Sequence, residues 1–441
     1  MPMSKNLSQK QVWRGLPARE NTGKMPVPQN SGIGTKPTCE LDALIFGGGV
    51  AGLWLLDELH RRSFRALLIE NRALGTGQTI ASQGILHAGL KYALGGLLSG
   101  SAKAVGEMTD LWRRCLVGRA QPDLRGVRIL SPCCYLWRTE ALASMVGLTA
   151  ARFGLRTQAA KVAPYDRPPA LARCPGEVLR VDEQVIDVGS LLRELAHRHN
   201  DRILNIADAG EVTFTVSKPG HVETVELQRA DSTTVFLLKP GVVIFTAGEG
   251  NADLRRRVGL SPEAMQLRPL HMVMVRGSLP QLFGHCVDGN KTRVTITSAV
   301  DTEGRTVWQV GGEIAEKGVD RTSAELIEFA RRELPSVLPA VDFTNTQWAK
   351  YRINRAEGRD PRGARPEGPV WRREGSVITA WPTKLVLAPR LAELIVNSLG
   401  KPSCTNATPS PHPTAYGLQS GARGEGKIAL PPWEVTDEWH A

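Results

Sequence analysis

The chain has 441 residues, enough for two or three domains, and its 41% hydrophobic and 22% charged residues are the balance of a soluble globular protein. Its 44 glycines follow no triplet period and its 7 cysteines include no CxxC pair, which excludes a fibrous protein, a disulfide-stapled scaffold and a local zinc ribbon. The net charge of +11 is concentrated in two places: residues 1–38 carry six Lys/Arg against Glu20 alone, and residues 350–373 carry eight positive against three negative residues.

Residues 1–38 read as a disordered basic tail, polar and without the apolar stretch of a secretory signal. The best apolar run, 43–56, is broken by four glycines, so no membrane-spanning helix is predicted, and reduced cysteines suit a cytoplasmic location. The first structured signal is the apolar run 41–46, followed by Gly47, Gly48, Gly49, Val50, Ala51 and Gly52. Residues 53–62 come next, with leucines at 53, 55, 56 and 59, and then the apolar run 66–69, which ends at Glu70. That order is strand, tight turn, amphipathic helix and second strand, a βαβ unit that opens a parallel sheet. Residues 75–89 are rich in Gly, Ser, Thr and Gln and almost uncharged, as expected of a loop held against something.

Further on, helices are predicted over 97–115, 140–153, 188–199 and 323–333. Strands are predicted over 127–130, 134–137, 212–216, 222–227, 234–238 and 242–245, the last closing on Thr246, Ala247 and Gly248. From 270 to 310 the apolar period is two, which predicts an antiparallel sheet. A strand at 376–380 and a helix at 383–399 precede a Pro/Ser/Gly-rich tail from Lys401.

GxGxxG is a weak signal in so glycine-rich a chain, but here it follows a strand, opens a helix and has an acid at the end of the next strand. Gly47 makes the turn, Gly49 lets the backbone approach a pyrophosphate, and Gly52 lets helix and strand pack, while Val50 and Ala51 open the helix whose N-terminus attracts anions. Glu70 would accept from ribose hydroxyls, and its charge disfavours a 2′-phosphate, leaving NAD or FAD.

Three segments decide between those two. The loop with Gln78, Thr79, Ser82, Gly84 and His87, running on through Ala88 to Tyr92, resembles the one that follows the ribose-binding acid in FAD-dependent oxidoreductases of the D-amino-acid oxidase superfamily. Within it, L-2-hydroxyglutarate dehydrogenases and respiratory glycerol-3-phosphate dehydrogenases are the nearest in pattern. Ala247 and Gly248 are similar to the second FAD-contact motif, and Thr383, Lys384 and Leu385 to the segment that meets the isoalloxazine, although many members have a Gly-rich turn there. The resemblance spans about residues 41 to 400 and implies FAD, an oxidoreductase, and a histidine brought towards the flavin.

Oxidation by hydride transfer to flavin N5 needs a proton acceptor and a substrate anchor. His87 is the candidate base, with a structural hydrogen bond or covalent flavin attachment as its alternatives. Lys384 and the first N–H groups of the last helix are candidates to stabilise charge on the flavin, and Arg352 or Arg355 to hold a substrate carboxylate or phosphate. Tyr92 and Tyr351 are pocket candidates. His271 reads as a core histidine, His197 and His199 as exposed, and no cluster supports a metal site.

The expected fold is α/β: a Rossmann-like FAD-binding lobe (39–110, 180–260 and 350–400) and a substrate lobe built on a mixed or antiparallel sheet (111–179 and 261–349), with a flexible C-terminal tail at 401–441. The reaction expected is oxidation of a small anionic 2-hydroxy acid, with an amino acid or amine as the rival substrate. Electrons would leave to oxygen, a quinone or a carrier protein, since no second dinucleotide fingerprint exists for a nicotinamide. Charge alone is a thin argument for a nucleic-acid partner, and a flavoprotein acting on RNA stands as the alternative from another class. Peripheral membrane contact through 93–104 is a further alternative.

Overall fold

A computed structural model describes residues 38–87, 100–139, 159–206, 210–229, 235–288, 291–403 and 427–441. The helix expected over 140–153, most of the N-terminal tail and the loop residues from Ala88 to Tyr92 lie outside them.

The apolar runs read as buried strands assemble one sheet in the order Val370–Glu374, Val377–Trp381, Val235–Phe245, Thr38–Phe46, Ala66–Glu70 and Ile203–Asn205. Every pairing among the last five of these strands is parallel. Ala43, Leu44, Ile45 and Phe46 are all buried, as strands covered on both faces must be. On one face pack the helices Val50–Arg61, Gly100–Leu116, Val188–His197 and Ala388–Ser398, joined through Leu53, Trp54, Trp112, Leu191 and Leu391. On the other lie Gly210–Lys218 and His221–Arg229, whose Val212, Val225 and Leu227 meet Leu44, Phe46 and Phe245. Three layers result.

Residues 234–245 do not break into the two predicted strands but form the single strand Val235–Phe245 through Pro240. Up to Leu238 its free edge pairs with His221–Arg229, and from Val243 it pairs with Val377–Trp381. Pro240 stands where the neighbours change, so its missing N–H costs no ladder bond on that edge.

The second sheet runs Gln347–Gly358, Met265–Gly277, Thr306–Gly311, Lys291–Val300, Gly284–Asp288, Cys134–Trp137, Val178–Val181 and Ala160–Lys161. It is antiparallel except where Gly284–Asp288 meets Cys134–Trp137, so the sheet is mixed. The helix Ser323–Val337, opened by a capping box of Thr322 and Glu325, covers one face through Leu326, Ala330 and Leu334 against Val273, Val275 and Trp308.

Three boundaries move. Gln347–Gly358, whose residues from 350 on were expected in the nucleotide lobe, is an edge strand of the second sheet. Its Lys350, Arg352, Arg355 and Glu357 fall on both faces, which hides the period of two. Residues 111–127, expected in the substrate lobe, place Trp112, Leu124 and Val127 in the helical core of the first. The C-terminal stretch 427–441 is packed rather than a loose tail: Leu74 N–H donates to Lys427 O (2.8 Å) and Trp348 N–H to His440 O (2.7 Å), so it straps the first lobe to the second sheet. The Pro/Ser/Gly-rich composition stops before it, and Trp433 and Trp439 supply apolar anchors.

His199, expected to be exposed, is buried, with Nε2 2.9 Å from Asp57 Oδ1. Asp57 also accepts from Arg61 (2.8 Å) and Arg198 (3.2 Å). Burial alone would raise this carboxyl, but the bonds from His199 and Arg61 hold it down at about 2.

Candidate active site

The turn after Phe46 is crowded in a way only glycine satisfies. Gly47 has φ 108°, and a Cβ there would lie 2.5 Å from Ala247 Cα; one on Gly52 would lie 2.0 Å from Gly47 O and 2.8 Å from Thr246 Oγ1. The helix Val50–Arg61 therefore opens directly against the strand end, with no acidic residue in its first turn. Thr79 Oγ1 accepts from Val50 N–H (3.2 Å), and the N–H groups of Ala51 and Gly52 have no acceptor within the helix, so a positive helix end faces the turn.

Glu70 is buried beside it. Oε2 accepts from Gly48 N–H (2.7 Å), and Oε1 from Asn71 and Arg72 N–H (2.9 Å each). Burial pushes the Glu70 carboxyl up, against the pull of these three bonds. A carboxylate has about four acceptor positions, so one is left for a ribose hydroxyl. Turn, helix end and carboxylate together fit the adenylate half of a dinucleotide.

The loop from Gly75 to His87 is fixed to both lobes. Gly84 has φ 68° and its carbonyl accepts from Ile186 N–H (3.0 Å), while Leu86 N–H donates to Gln184 O (2.8 Å). Toward the second sheet, Gln78 Oε1 accepts from Ala356 N–H (3.0 Å), Tyr351 OH donates to Ala81 O (3.1 Å), and Gln83 Nε2 donates to Gln309 O (3.0 Å). Ser82 Oγ is buried with no hydrogen-bond partner among the described residues, a polar atom left for a ligand.

Ala247 N–H donates to Asn251 Oδ1 (2.8 Å), and Gly248 takes φ 57° with open space where a side chain would be. In the third segment Thr383 itself adopts φ 64°, where many relatives carry a Gly-rich turn, and donates from Oγ1 to Gly368 O (2.8 Å). Lys384 is buried, with Nζ 3.3 Å from Glu367 O. The helix expected from 383 begins as a 3₁₀ turn, Leu385–Leu387, and continues as Ala388–Ser398. The glycine turn, Ala247–Gly248 and Thr383 follow three adjacent strands of the first sheet, Thr38–Phe46, Val235–Phe245 and Val377–Trp381.

The two arginine candidates separate by strand alternation. Tyr351, Ile353, Arg355 and Glu357 share the face whose Tyr351 meets the loop, while Arg352 is exposed on the other and donates to Val319 and Arg321 carbonyls (3.4 Å each). Arg352 and Arg355 thus point to opposite sides of the strand. Arg355 stands directly across from Arg268, with Arg365 on the same cluster. Fully buried Glu357 lies 3.4 Å from Arg268 and 3.8 Å from Arg365, and Arg355 reaches only the half-exposed Glu316 (3.8 Å), its Nε buried without a hydrogen-bond partner among the described residues. Burial first, then Arg365 and Arg268, press the Arg355 guanidinium down to about 10. Three cations thus surround one buried anion.

His87, about a third exposed, has Nδ1 3.3 Å from Glu183 Oε2. His285 Nε2 is 3.6 Å from the same oxygen, and its Nδ1 is 2.9 Å from Thr295 Oγ1. Burial would raise the Glu183 carboxyl, but the two imidazoles hold it well below the usual range. This is the cluster that sequence gave no sign of, since its members belong to three segments. Glu183, His285 and Arg268 were all missed, while Glu357 and Arg365 lay in a stretch singled out for its charge without being given a role. His271 is buried as expected, with Nδ1 3.1 Å from Gly318 O.

A cavity of about 330 Å³ opens between the lobes, lined by Ser82 and Gln83 of the loop, Thr297 and Gln309 of the second sheet, and Trp433 of the C-terminal strap. Among the described residues no helix is long and apolar enough to cross a membrane.

The FAD dependent oxidoreductase family matches residues 42–395 of the chain. The probable FAD-dependent oxidoreductase PA4991 of Pseudomonas aeruginosa is 38% identical over 399 residues, covering 89% of this chain and 97% of that one. Its crystal structure aligns with a TM-score of 0.73 at 34% identity, over 91% of this chain and 99% of that one. An L-alpha-glycerophosphate oxidase of Mycoplasma pneumoniae with FAD bound shares the fold at 15% identity, with a TM-score of 0.58 over 83% of this chain and 97% of that one.

Proposed function

Since the chain belongs to the FAD dependent oxidoreductase family and is an FAD-dependent enzyme, we propose that it oxidises a small 2-hydroxy acid, with Arg355 as the carboxylate anchor and His87 as the base. The observation that carries the reading is the cationic cluster on the loop-facing side of Gln347–Gly358, where Arg355, Arg268 and Arg365 outnumber the one buried carboxylate, Glu357. An anionic group entering there relieves both the repulsion among the guanidinia and the unsatisfied Nε of Arg355.

FAD, when bound, supplies the hydride acceptor. Gly47, Gly49, Val50, Ala51, Gly52 and Glu70 would hold its adenylate half, and Gln78, Thr79, Ser82, Gly84, Ala247, Gly248, Thr383, Lys384 and Leu385 would line the rest. Arg355 fixes the substrate by its carboxylate. His87 receives the hydroxyl proton at Nε2 as the C–H bond is broken, and the loop that carries it excludes water by its bonds to the second sheet. Lys384 and the N–H groups of Leu385 and Val386 would stabilise negative charge on the bound cofactor.

The deciding experiment is anaerobic addition of 2-hydroxy acids, their esters, amino acids and amines to the yellow holoprotein. Bleaching by a hydroxy acid but not by its neutral ester supports the reading. Bleaching only by amines, or equally by ester and acid, overturns it. Admitting air, then a quinone, to the reduced protein identifies the electron acceptor.

A further inference from the structure

We propose that Glu183 is a positioning residue for His87: its Oε2 accepts from His87 Nδ1–H, with His285 Nε2 3.6 Å from the same oxygen, which leaves Nε2 as the proton-accepting nitrogen of His87. The catalytic consequence rests on His87 being the base, whereas the arrangement of the three side chains does not.

Glu183 is fully buried, so its carboxylate must find donors inside the protein, and the nitrogens of His87 and His285 converge on a single one of its oxygens. His285 is tied on its far side to Thr295 Oγ1, 2.9 Å from Nδ1, which fixes the plane of its ring beside the carboxylate. The backbone holds the set together. Leu86 N–H bonds Gln184 O beside His87, Thr109 Oγ1 donates to His87 O (3.0 Å), and Gly284–Asp288 pairs with Cys134–Trp137, which pairs with Val178–Val181 just before Glu183. Among the described residues, Cys134 and Arg113 also lie close to the carboxylate. Cys134 is buried, with its thiol pushed well up and therefore neutral, and Arg113 points at the Asp182 carbonyl rather than at Glu183. Both imidazoles stand against the Glu183 charge. When His87 takes up a proton at Nε2, the resulting cation lies against an anion that was already in place, so no group has to reorganise.

The test uses FAD-loaded protein with ¹⁵N-labelled histidine, with His87→Gln assigning the His87 resonances. In the wild type, neutral His87 is expected as the Nδ1–H tautomer. Glu183→Gln keeps an acceptor oxygen but removes the charge. It should retain that tautomer, slow flavin reduction about tenfold, and change the pH–rate profile, because the charge beside the ring is gone. Glu183→Met removes the acceptor as well, and should mix the two tautomers and slow reduction about a hundredfold. A purely structural glutamate would leave the pH profile in place. An Nε2–H tautomer in the wild type overturns the proposal without any variant having to fold. So does a Glu183→Met protein with the wild-type tautomer and pH profile, or one equivalent of a metal ion in the purified protein bound through these imidazoles. If His87→Gln reduces its flavin at the wild-type rate while Glu183→Met still changes the tautomer, the base assignment falls and the positioning stands.

Discussion

The glycine turn and the charged clusters that would face the substrate are built on different lengths of chain. Gly47 to Gly52 is six consecutive residues of which four are glycine, and it is the missing side chains at Gly47 and Gly52 that let a helix end and a strand end meet within van der Waals distance. The charged clusters are the reverse: His87 and Glu183 are 96 positions apart, Arg268 and Glu357 are 89 apart, and every member contributes a charge or a proton. The first region should fail when volume is added, and the second when charge is removed at constant volume.

The largest effect is expected from Gly52→Val. Its Cβ would fall 2.0 Å from Gly47 O, a backbone atom that cannot step aside, so the helix must leave the turn and the protein should purify colourless, read by flavin absorbance per polypeptide. A yellow variant would show that helix packing and cofactor binding are separable here. Next is His87→Gln, expected to keep FAD but to reduce it with substrate ~10²-fold to ~10⁴-fold more slowly in anaerobic stopped flow. Arg355→Met, similar in volume and without charge, should raise the KM for the hydroxy acid about a hundredfold, equivalent to ~3 kcal/mol, with kcat less affected. Equal loss for acid and neutral ester would remove the anchoring role.

The smallest effect lies away from both regions. Asp57 is a buried charge inside the helical layer, held at about 2 against an ordinary 3.8. Its folded-state value is depressed, so its stabilisation is complete above pH ~4 and is lost as pH falls towards ~2. Asp57→Asn should therefore cost ~2 kcal/mol in urea unfolding at pH 7, and the gap from wild type should close across that acidic window. A gap independent of pH would mean that the amide strains the site sterically instead.

Much of the first lobe was legible because its signals are short in sequence. An apolar run buried on both faces, a glycine turn and a leucine-spaced helix each lie within a dozen residues, and their order alone predicts a parallel sheet. Gln347–Gly358 was not legible as a strand, because its two faces meet different partners that both accept charge: Arg352 reaches carbonyls near Val319, and Arg355 joins the arginine cluster. The same ambiguity left Arg352 and Arg355 in competition until alternation placed them on opposite faces. The strapped C-terminus escaped notice because two tryptophans after a polar stretch carry no period.

Sequence by itself determined the glycine turn, the acid that closes the next strand and the two-lobed plan, since those follow from residues that are neighbours along the chain and from steric limits on a few backbone angles. Tertiary structure decided which cations and imidazoles share a carboxylate. His285 comes beside Glu183 because Gly284–Asp288 lies next to Cys134–Trp137, and Arg268 faces Arg355 because of the register of Met265–Gly277 against Gln347–Gly358. Strand order and register are settled by the burial of whole faces, and an individual charged side chain is too small a part of that free energy to announce its partner in advance.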